Sequence, residues 1–287
     1  MELVLLGERP LAQAALLNFN SDPDHLVIDA ARLTFACPLD LAGIVATANW
    51  AAAASMPVTL KMPVDPNAAS YLQRMDVIQL MPPRIDLVGR MPVDARTDLR
   101  NRLLEVTPIN PSNVDSVQER LGRLIDAFYA EHSVAAGRRV STACGELLDN
   151  AVTHGSSPTG AFIAAQTYTG TTTEGPRFEV AVCDTGIGVR AHLRNNPRYR
   201  LIPHDRAALS TALKAGTSGV GDDRGNGLSD LVSRTRHHGD LRFEMRSGHA
   251  EITVVGSPTH CEQKTLDRQD ETAGTWAWLS HWIAPSE

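Results

Sequence analysis

The sequence predicts an α/β protein made of a small N-terminal unit and a larger C-terminal one. Its 287 residues suffice for one large domain and one small one. Short apolar segments alternate with an alanine-rich helical stretch up to residue 82, whereas amphipathic helices and strands rich in β-branched residues follow residue 113. Residues 82–112 are rich in proline and charge. We therefore expect domains at 1–82 and 113–287, joined by a connector at 83–112.

Composition and charge exclude several classes of protein. The formal net charge is −6, so no basic surface for nucleic acid is expected. No apolar run reaches the roughly 18 residues that span a bilayer, and the first residues lack a signal peptide, so we expect a cytoplasmic protein without membrane segments. The cysteines form no CxxC pair, which disfavours a zinc site and a disulfide framework. This pattern predicts buried thiols at Cys37, Cys144, Cys183 and Cys261.

The N-terminal unit contains two predicted strands, HLVIDA and PVTLKM, and two predicted helices, DLAGIVATANWAAAA and NAASYLQRM. Pro38 suits the first turn of the first helix, because that position needs no amide donor and proline presets its φ angle.

The C-terminal unit begins with helical periodicity. Helices are expected from residue 113 to about 128 and from about Gly137 to His154. The segments AFIAAQTY and RFEVAVCD then predict strands, and helices are expected at 204–215 and 227–237. Three short strands, DLRFEMR, AEITVVG and GTWAWL, are expected to end the chain. The segment RLLEV in the connector is compatible with a strand of either unit.

The segment GELLDNAVTHG (145–155) places Glu146, Asn150 and His154 four residues apart, on one stripe of a helix. A carboxylate and a carboxamide one turn apart suit a magnesium-phosphate centre, because the amide oxygen is a hard ligand and the carboxylate can accept a proton. The alternative is a solvated polar helix face.

Two glycine-rich segments follow. In VAVCDTGIGV (180–189), a strand runs into Asp184 and the glycines Gly186 and Gly188 let the backbone approach a ligand. A carboxylate there can accept the exocyclic amine of adenine. In DDRGNGLSDLVSR (222–234), a glycine-rich loop opens a helix whose N-terminal amides favour phosphate. The alternatives are a plain strand-to-loop turn and a flexible loop followed by a helix N-cap.

The order of these motifs resembles the GHKL ATPase superfamily: ExxxNAxxHG on a helix, DxGxG after a strand, RGNGL opening a helix, and GT (Gly274, Thr275) before the last strand. The resemblance covers about residues 113–282. It implies a Bergerat fold, which is a two-layer α/β sandwich with a mixed, mainly antiparallel sheet, and it implies ATP and Mg²⁺ as ligands.

Within that superfamily, AGTSGVGDDRGNGL is similar to the lid of the anti-sigma factor serine kinases. The resemblance implies that Glu146 is the general base, that Asn150 is the Mg²⁺ ligand, and that Asp184 contacts adenine with support from the Thr275 hydroxyl. His154 lies at the edge of the site or is structural. The remaining implied nucleotide contacts are Gly186, Gly188, Thr217, Ser218, Arg224, Gly225, Asn226, Gly227 and Leu228.

The N-terminal unit resembles the STAS domain of anti-sigma factor antagonists, although an unrelated small α/β domain is the alternative. Those antagonists are phosphorylated in an Asp-Ser-Ser-Gly-Leu loop, whereas this chain has ACPLDL (36–41), which contains no hydroxyl. The unit is therefore expected to bind or dimerise rather than to accept phosphate.

Between Gly188 and Gly225 lie 36 residues, which is longer than the resemblance to those kinases implies. This stretch, called the insertion below, contains the basic segment RAHLRNNPRYR. Four roles are open for the arginines of this segment: contacting phosphate, covering the pocket, binding a partner, or forming a solvated lid. These arginines are Arg190, Arg194, Arg198 and Arg200.

The resemblance implies an ATP-dependent protein serine kinase in a partner-switching pathway, with a STAS antagonist or a sigma-factor-like regulator as partner. A monomer and a homodimer are both left open. The alternative is an ATP-gated interaction switch with little or no kinase activity. A histidine kinase is disfavoured, because no phosphoacceptor helix pair precedes residue 113 and because His237 and His238 lie at a helix end.

Overall fold

The computed structural model of the chain describes residues 2–5, 25–92, 101–153, 157–169, 175–214 and 227–283. These residues form a four-stranded sheet followed by a five-stranded sheet, each packed with helices. The predicted α/β class, with a small unit before a larger two-layer sandwich, is therefore confirmed. No helix in the described ranges is long and apolar enough to cross a membrane.

The N-terminal unit is a parallel sheet with two described helices. Its strands, in spatial order, are β1 (Glu2–Val4), β2 (Leu26–Asp29), β3 (Val58–Lys61) and β4 (Ile85–Val88). Its helices are α1 (Pro38–Ala53) and α2 (Pro66–Arg74). Pro38 opens α1 as predicted, and the Asp40 carboxylate accepts the Cys37 amide hydrogen bond at 2.9 Å, which satisfies a donor that the helix leaves free.

The C-terminal unit is an antiparallel sheet with helices on one face. Its strands, in chain order, are β5 (Leu103–Ile109), β6 (Ala161–Tyr168), β7 (Arg177–Asp184), β8 (Gly239–Gly256) and β9 (Cys261–Ile283). The spatial order is β5-β6-β7-β9-β8, and every pairing is antiparallel. The helices that pack on this face are α3 (Val114–Tyr129), α4 (Val134–Thr153) and α7 (Gly227–Thr235).

Residues 83–112 contribute a strand to each sheet. β4 pairs with β3 at the edge of the parallel sheet, and β5 pairs with β6 at the edge of the antiparallel one. The segment RLLEV therefore belongs to the C-terminal unit. Pro108 lies in β5, and it fits there because an edge strand has one side on which no ladder hydrogen bond is made.

The end of the chain is a long hairpin, and the prediction of three short strands was wrong. DLRFEMR and AEITVVG are one strand, β8, interrupted by register shifts around Gly248. Gly248 has a φ of +58°, which lets the strand bulge and continue. Residues 261–273, for which the sequence predicts no element, are the first half of β9.

Residues 188–214 are folded against this hairpin. They form α5 (Gly188–Arg194), a short 3₁₀ turn at Pro197–Tyr199, and α6 (Asp205–Ala212). Leu209 of α6 joins Ile252 and Val254 of β8 in the core. The Asp205 carboxylate also accepts the backbone N–H of His249 at 2.9 Å. This part of the insertion is therefore an ordered layer over the hairpin.

Both faces of the antiparallel sheet are buried. One face packs against α3, α4 and α7. The other contributes Phe162, Ala181, Trp276 and Trp278 to the core of the N-terminal unit. Helix α1 approaches this face so closely that a Cβ atom at Gly43 would lie 2.8 Å from the Trp276 ring.

Polar contacts also cross between the units. Arg74 Nη1 of α2 lies 3.2 Å from Glu105 Oε1 of β5, and the Tyr71 hydroxyl donates to Gln166 of β6. The two units therefore share one continuous interior.

Three of the cysteines are buried as predicted: Cys37, Cys144 and Cys183. Cys261 is exposed, so the prediction was wrong there. It begins β9 in the outer part of the hairpin, where Glu262, Gln263 and Lys264 are also exposed.

The substitution Gly43→Ala is expected to lower the free energy of unfolding by about 1–3 kcal/mol, because the added methyl group overpacks against Trp276. The matched control is Gly122→Ala in α3, where a Cβ atom meets nothing within 4 Å. That control should raise stability by up to about 1 kcal/mol, because alanine is the better helix former. Urea unfolding of both variants measures the difference. Equal stabilisation by the two substitutions would contradict the close approach of α1 to the sheet.

Candidate functional site

Asp184 is the last residue of β7 and is only 3% exposed. Side chains alternate along a strand. Val180 and Val182 belong to the core on the α4 face, whereas Ala181 and Cys183 belong to the core on the α1 face. Asp184 therefore points to the same side of the sheet as α4, as a carboxylate at the end of an apolar strand.

Backbone amides surround the Asp184 carboxylate. Gly186 N donates to Asp184 Oδ1 at 2.9 Å, and the backbone N–H of Thr275 is a second donor. Burial nevertheless raises the pKa of Asp184 to about 6, with the two amide hydrogen bonds opposing that shift. Support from Thr275 was expected through its hydroxyl, whereas the contact in the structure is made by its amide. Thr275 is directly opposite Asp184 in the β7–β9 ladder.

The turn from Asp184 to Gly188, called the glycine loop below, packs tightly against Gly274. Gly274 has a φ of +72°, and a Cβ atom there would lie 2.4 Å from the Asp184 carbonyl oxygen and 2.5 Å from Gly186 N. Gly188 has a φ of +75° and lies against the Ser247 hydroxyl. Glycine is therefore required at Gly274 both by conformation and by space.

Ser247 holds this arrangement together and was missed from the sequence. Its hydroxyl is buried, donates to the Gly274 carbonyl at 2.7 Å and accepts the Val189 amide at 2.9 Å. Three segments, namely β8, β9 and the start of α5, meet at this one oxygen. A serine before a glycine in a long strand carries no signal that distinguishes such a position from an ordinary strand serine.

A second hydroxyl cluster, also missed, joins the glycine loop to the segment after α4. Thr185 Oγ1 lies 3.1 Å from Ser157 Oγ and 3.0 Å from Thr159 Oγ1. Ser157 follows α4 by four residues. These contacts bring the end of the helix that carries Glu146 and Asn150 close to the loop that carries Asp184.

Glu146 and Asn150 are half-buried and one turn apart on α4. Leu147 and Ala151, which follow them, pack in the core between α4 and the sheet. The two polar side chains therefore flank the buried face of α4. Among the described residues, no group of three or more His, Cys, Asp or Glu side chains could hold a metal ion alone. A Mg²⁺ ion at Asn150 would need oxygen ligands from a bound phosphate and water.

Several predicted contacts lie outside the described residues. Gly227 opens α7, as predicted, and Leu228 is half-buried against the core beside α4. The predicted site residues that fall outside the description are His154, Thr217, Ser218, Arg224, Gly225 and Asn226.

The arginines of the insertion do not form one cluster of contacts. Arg190 is half-buried and donates to the Pro203 carbonyl, and Arg194 Nε donates to the Arg200 carbonyl at 3.1 Å. Arg198 lies over the Tyr199 ring. Arg194, Arg198 and Arg200 are exposed, so this face of the insertion is basic.

Comparison with known proteins gives a weak structural likeness and no family. No model of a known protein family matches the chain, and no curated protein matches it. The chain is similar to the ATP-binding domain of topoisomerase IV from Francisella tularensis, solved with a small-molecule inhibitor. Their identity is 12% and the TM-score is 0.28, over 64% of this chain and 75% of that one. A likeness of this extent supports no conclusion about ligand or activity.

The substitution Gly274→Ala is expected to displace the glycine loop and to destabilise the protein more than Gly175→Ala does. Both glycines have a left-handed φ, but a Cβ atom at Gly175 meets nothing within 4 Å. Gly175→Ala should therefore cost only the conformational strain of about 1–2 kcal/mol. Gly274→Ala adds a clash with the backbone of Asp184. Chemical denaturation compares the two, and equal losses of stability would contradict the tight packing at Gly274.

Proposed function

We propose that the chain binds ATP between α4 and the glycine loop and transfers its γ-phosphate to a serine of a partner protein, as anti-sigma factor serine kinases do. The observation that carries this proposal is the Asp184 carboxylate, which is buried on the α4 side at the end of β7. The carboxylate accepts hydrogen bonds from two backbone amides, and its oxygens can accept further ones. The exocyclic amine of adenine is a donor that fits this capacity.

Helix α4 provides the groups for the phosphate end of the nucleotide. The Asn150 amide oxygen is a suitable Mg²⁺ ligand, and the ion when bound neutralises charge on the phosphates. Glu146 lies one turn earlier and takes the proton of the serine hydroxyl while the serine oxygen forms its bond to the γ-phosphorus. The bond from the γ-phosphorus to the bridging oxygen then breaks, and ADP leaves with the electron pair.

The phosphate acceptor in this proposal is a separate protein, either a STAS antagonist or a sigma-factor-like regulator. The segment ACPLDL at the start of α1 contains no hydroxyl, and all six of its residues are buried. In this proposal the N-terminal unit is therefore a STAS-like binding module rather than a substrate.

A second candidate function is an ATP-gated interaction switch with little or no phosphotransfer. Helix α1 packs on Cys183 and Trp276, the neighbours of Asp184 and Thr275 in β7 and β9. A change in the glycine loop on nucleotide binding therefore reaches the N-terminal unit through one layer of side chains. Such a switch requires a partner to bind the two states with different affinity.

The substitution Asp184→Asn is expected to weaken ADP binding roughly 10- to 100-fold, because a hydrogen bond to a charged group contributes about 1.5–3 kcal/mol. Calorimetric titration at several pH values measures this. The wild-type affinity should fall as the pH is lowered through about 6, where Asp184 becomes protonated. The fall should be smaller in the variant, in which only the terminal phosphate of ADP still takes up a proton over this range. The control is Asp126→Asn on the exposed face of α3, with unchanged affinity. Wild-type affinity in Asp184→Asn would rule out the proposed adenine contact.

The substitution Glu146→Gln separates the two candidate functions. A kinase should lose phosphotransfer by roughly 10²- to 10⁴-fold, because the general base is removed while nucleotide binding is kept. Transfer from γ-labelled ATP to purified STAS antagonists measures the loss, with the exposed Glu131→Gln as control. If neither the wild type nor the variant transfers phosphate, and partner affinity still differs between ATP and ADP, the switch is the function.

A further inference from the structure

A cavity of about 480 Å³ lies between the glycine loop, α5 and the end of α1. Its lining residues include Gly186 and Gly188 of the loop, Arg190 and Arg194 of α5, and Trp50 of α1. No residue of α4 lines it, and neither does Asp184. The cavity therefore shares the glycine loop, Ser247 and Gly274 with the candidate site, but it lies away from α4 and from the Asp184 side chain. Pockets of this size at the junction of two units commonly hold small ligands.

One wall of the cavity is aromatic and another is cationic. Trp50, in the last turn of α1, is half-buried against the core of the N-terminal unit and lines the cavity. Arg194 donates one hydrogen bond, from Nε to the Arg200 carbonyl, which leaves its terminal nitrogens as donors for a ligand. Arg190 Nε is buried without a hydrogen-bond partner among the described residues. An indole beside guanidinium groups suits a planar ring that carries a negative charge.

Of the two acidic residues that line the cavity, Asp205 is the one paired with an arginine. Asp205 accepts the His249 amide at 2.9 Å and lies 3.8 Å from Arg190 Nη1. Glu271 lies 3.9 Å from His249 Nε2, a contact that is ionic only when the histidine is protonated, and is more than half exposed. Neither carboxylate contacts Arg194 in these ion pairs, so the terminal nitrogens of Arg194 keep donors for a ligand.

We propose that this cavity binds a small planar aromatic anion, with its ring against Trp50 and its carboxylate or phosphate against Arg194 and Arg190. Such a ligand touches the glycine loop from the side opposite to α4. Its occupancy therefore alters ATP affinity, and ATP alters its affinity by the same factor. This coupling, unlike the cavity itself, rests on the proposed ATP site.

Three probes of the same shape test the charge preference on the full chain by calorimetry: 2-naphthoate, 2-naphthalenemethanol and 2-naphthylmethylammonium. We expect 2-naphthoate to bind one to one and the alcohol to bind roughly tenfold more weakly, because a charge-assisted hydrogen bond is lost. The ammonium probe should bind more weakly still. Equal affinities, a preference for the ammonium probe, or no binding of 2-naphthoate would overturn the proposal.

Variants locate the bound probe. Arg194→Gln should weaken 2-naphthoate roughly tenfold and remove its advantage over the alcohol. Arg198→Gln, an exposed arginine of the same segment that does not line the cavity, should leave affinity within about twofold. Trp50→Ala should abolish binding, and Trp50→Phe, which keeps an aromatic ring in the same core position, should retain part of it. Unchanged binding in Trp50→Ala or Arg194→Gln would overturn the proposal.

Competition separates this inference from the proposed function. If 2-naphthoate binds equally to the wild type and to Asp184→Asn, the two sites are distinct, and the proposal is supported. Full competitive displacement of 2-naphthoate by ATP would place the probe in the nucleotide site and overturn it. Binding of 2-naphthoate by a chain that does not bind ATP would support the cavity and count against the proposed function.

Discussion

The candidate site depends on the contact between Gly274 and the turn from Asp184 to Gly186. The in-register pairing of β7 with β9 places Thr275 opposite Asp184, so the Thr275 amide reaches the carboxylate. This pairing is possible only because Gly274 has no side chain, since a Cβ atom would collide with the Asp184 backbone. Burying a carboxylate costs free energy unless hydrogen bonds offset it, and here backbone amides provide them. Ser247 then fixes the Gly274 carbonyl.

The sheet behind this contact is held on both faces, which gives the site a rigid floor. Helix α4 packs on one face, and helix α1 packs on the other with Gly43 against Trp276. Interiors packed in this way transmit small displacements rather than absorbing them. The N-terminal unit is therefore a structural layer of the larger unit. This placement gives a physical route between the glycine loop and any partner of the N-terminal unit, as the interaction switch requires.

Local sequence patterns predicted most helices and strands, whereas the features that depend on long-range packing could not be predicted. The apolar strand before Asp184 and the helix that carries Glu146 and Asn150 are visible as periodicity, and proline marks the start of α1. The long β8–β9 hairpin was mistaken for separate strands, because a glycine bulge looks like a turn in sequence. Ser247 and the Trp50 cavity could not be predicted. Their neighbours are distant in sequence, and neither a serine nor a tryptophan carries a motif there.

The most direct test of the account compares ATP with GTP in calorimetric titrations of the full chain with Mg²⁺. Adenine offers an amine donor where guanine offers a carbonyl acceptor, and an acceptor facing a buried carboxylate leaves both groups unpaired. The account predicts saturable one-to-one binding of ATP, with GTP at least roughly tenfold weaker. Binding of GTP as tightly as ATP, or no binding of ATP, would contradict the role given to Asp184.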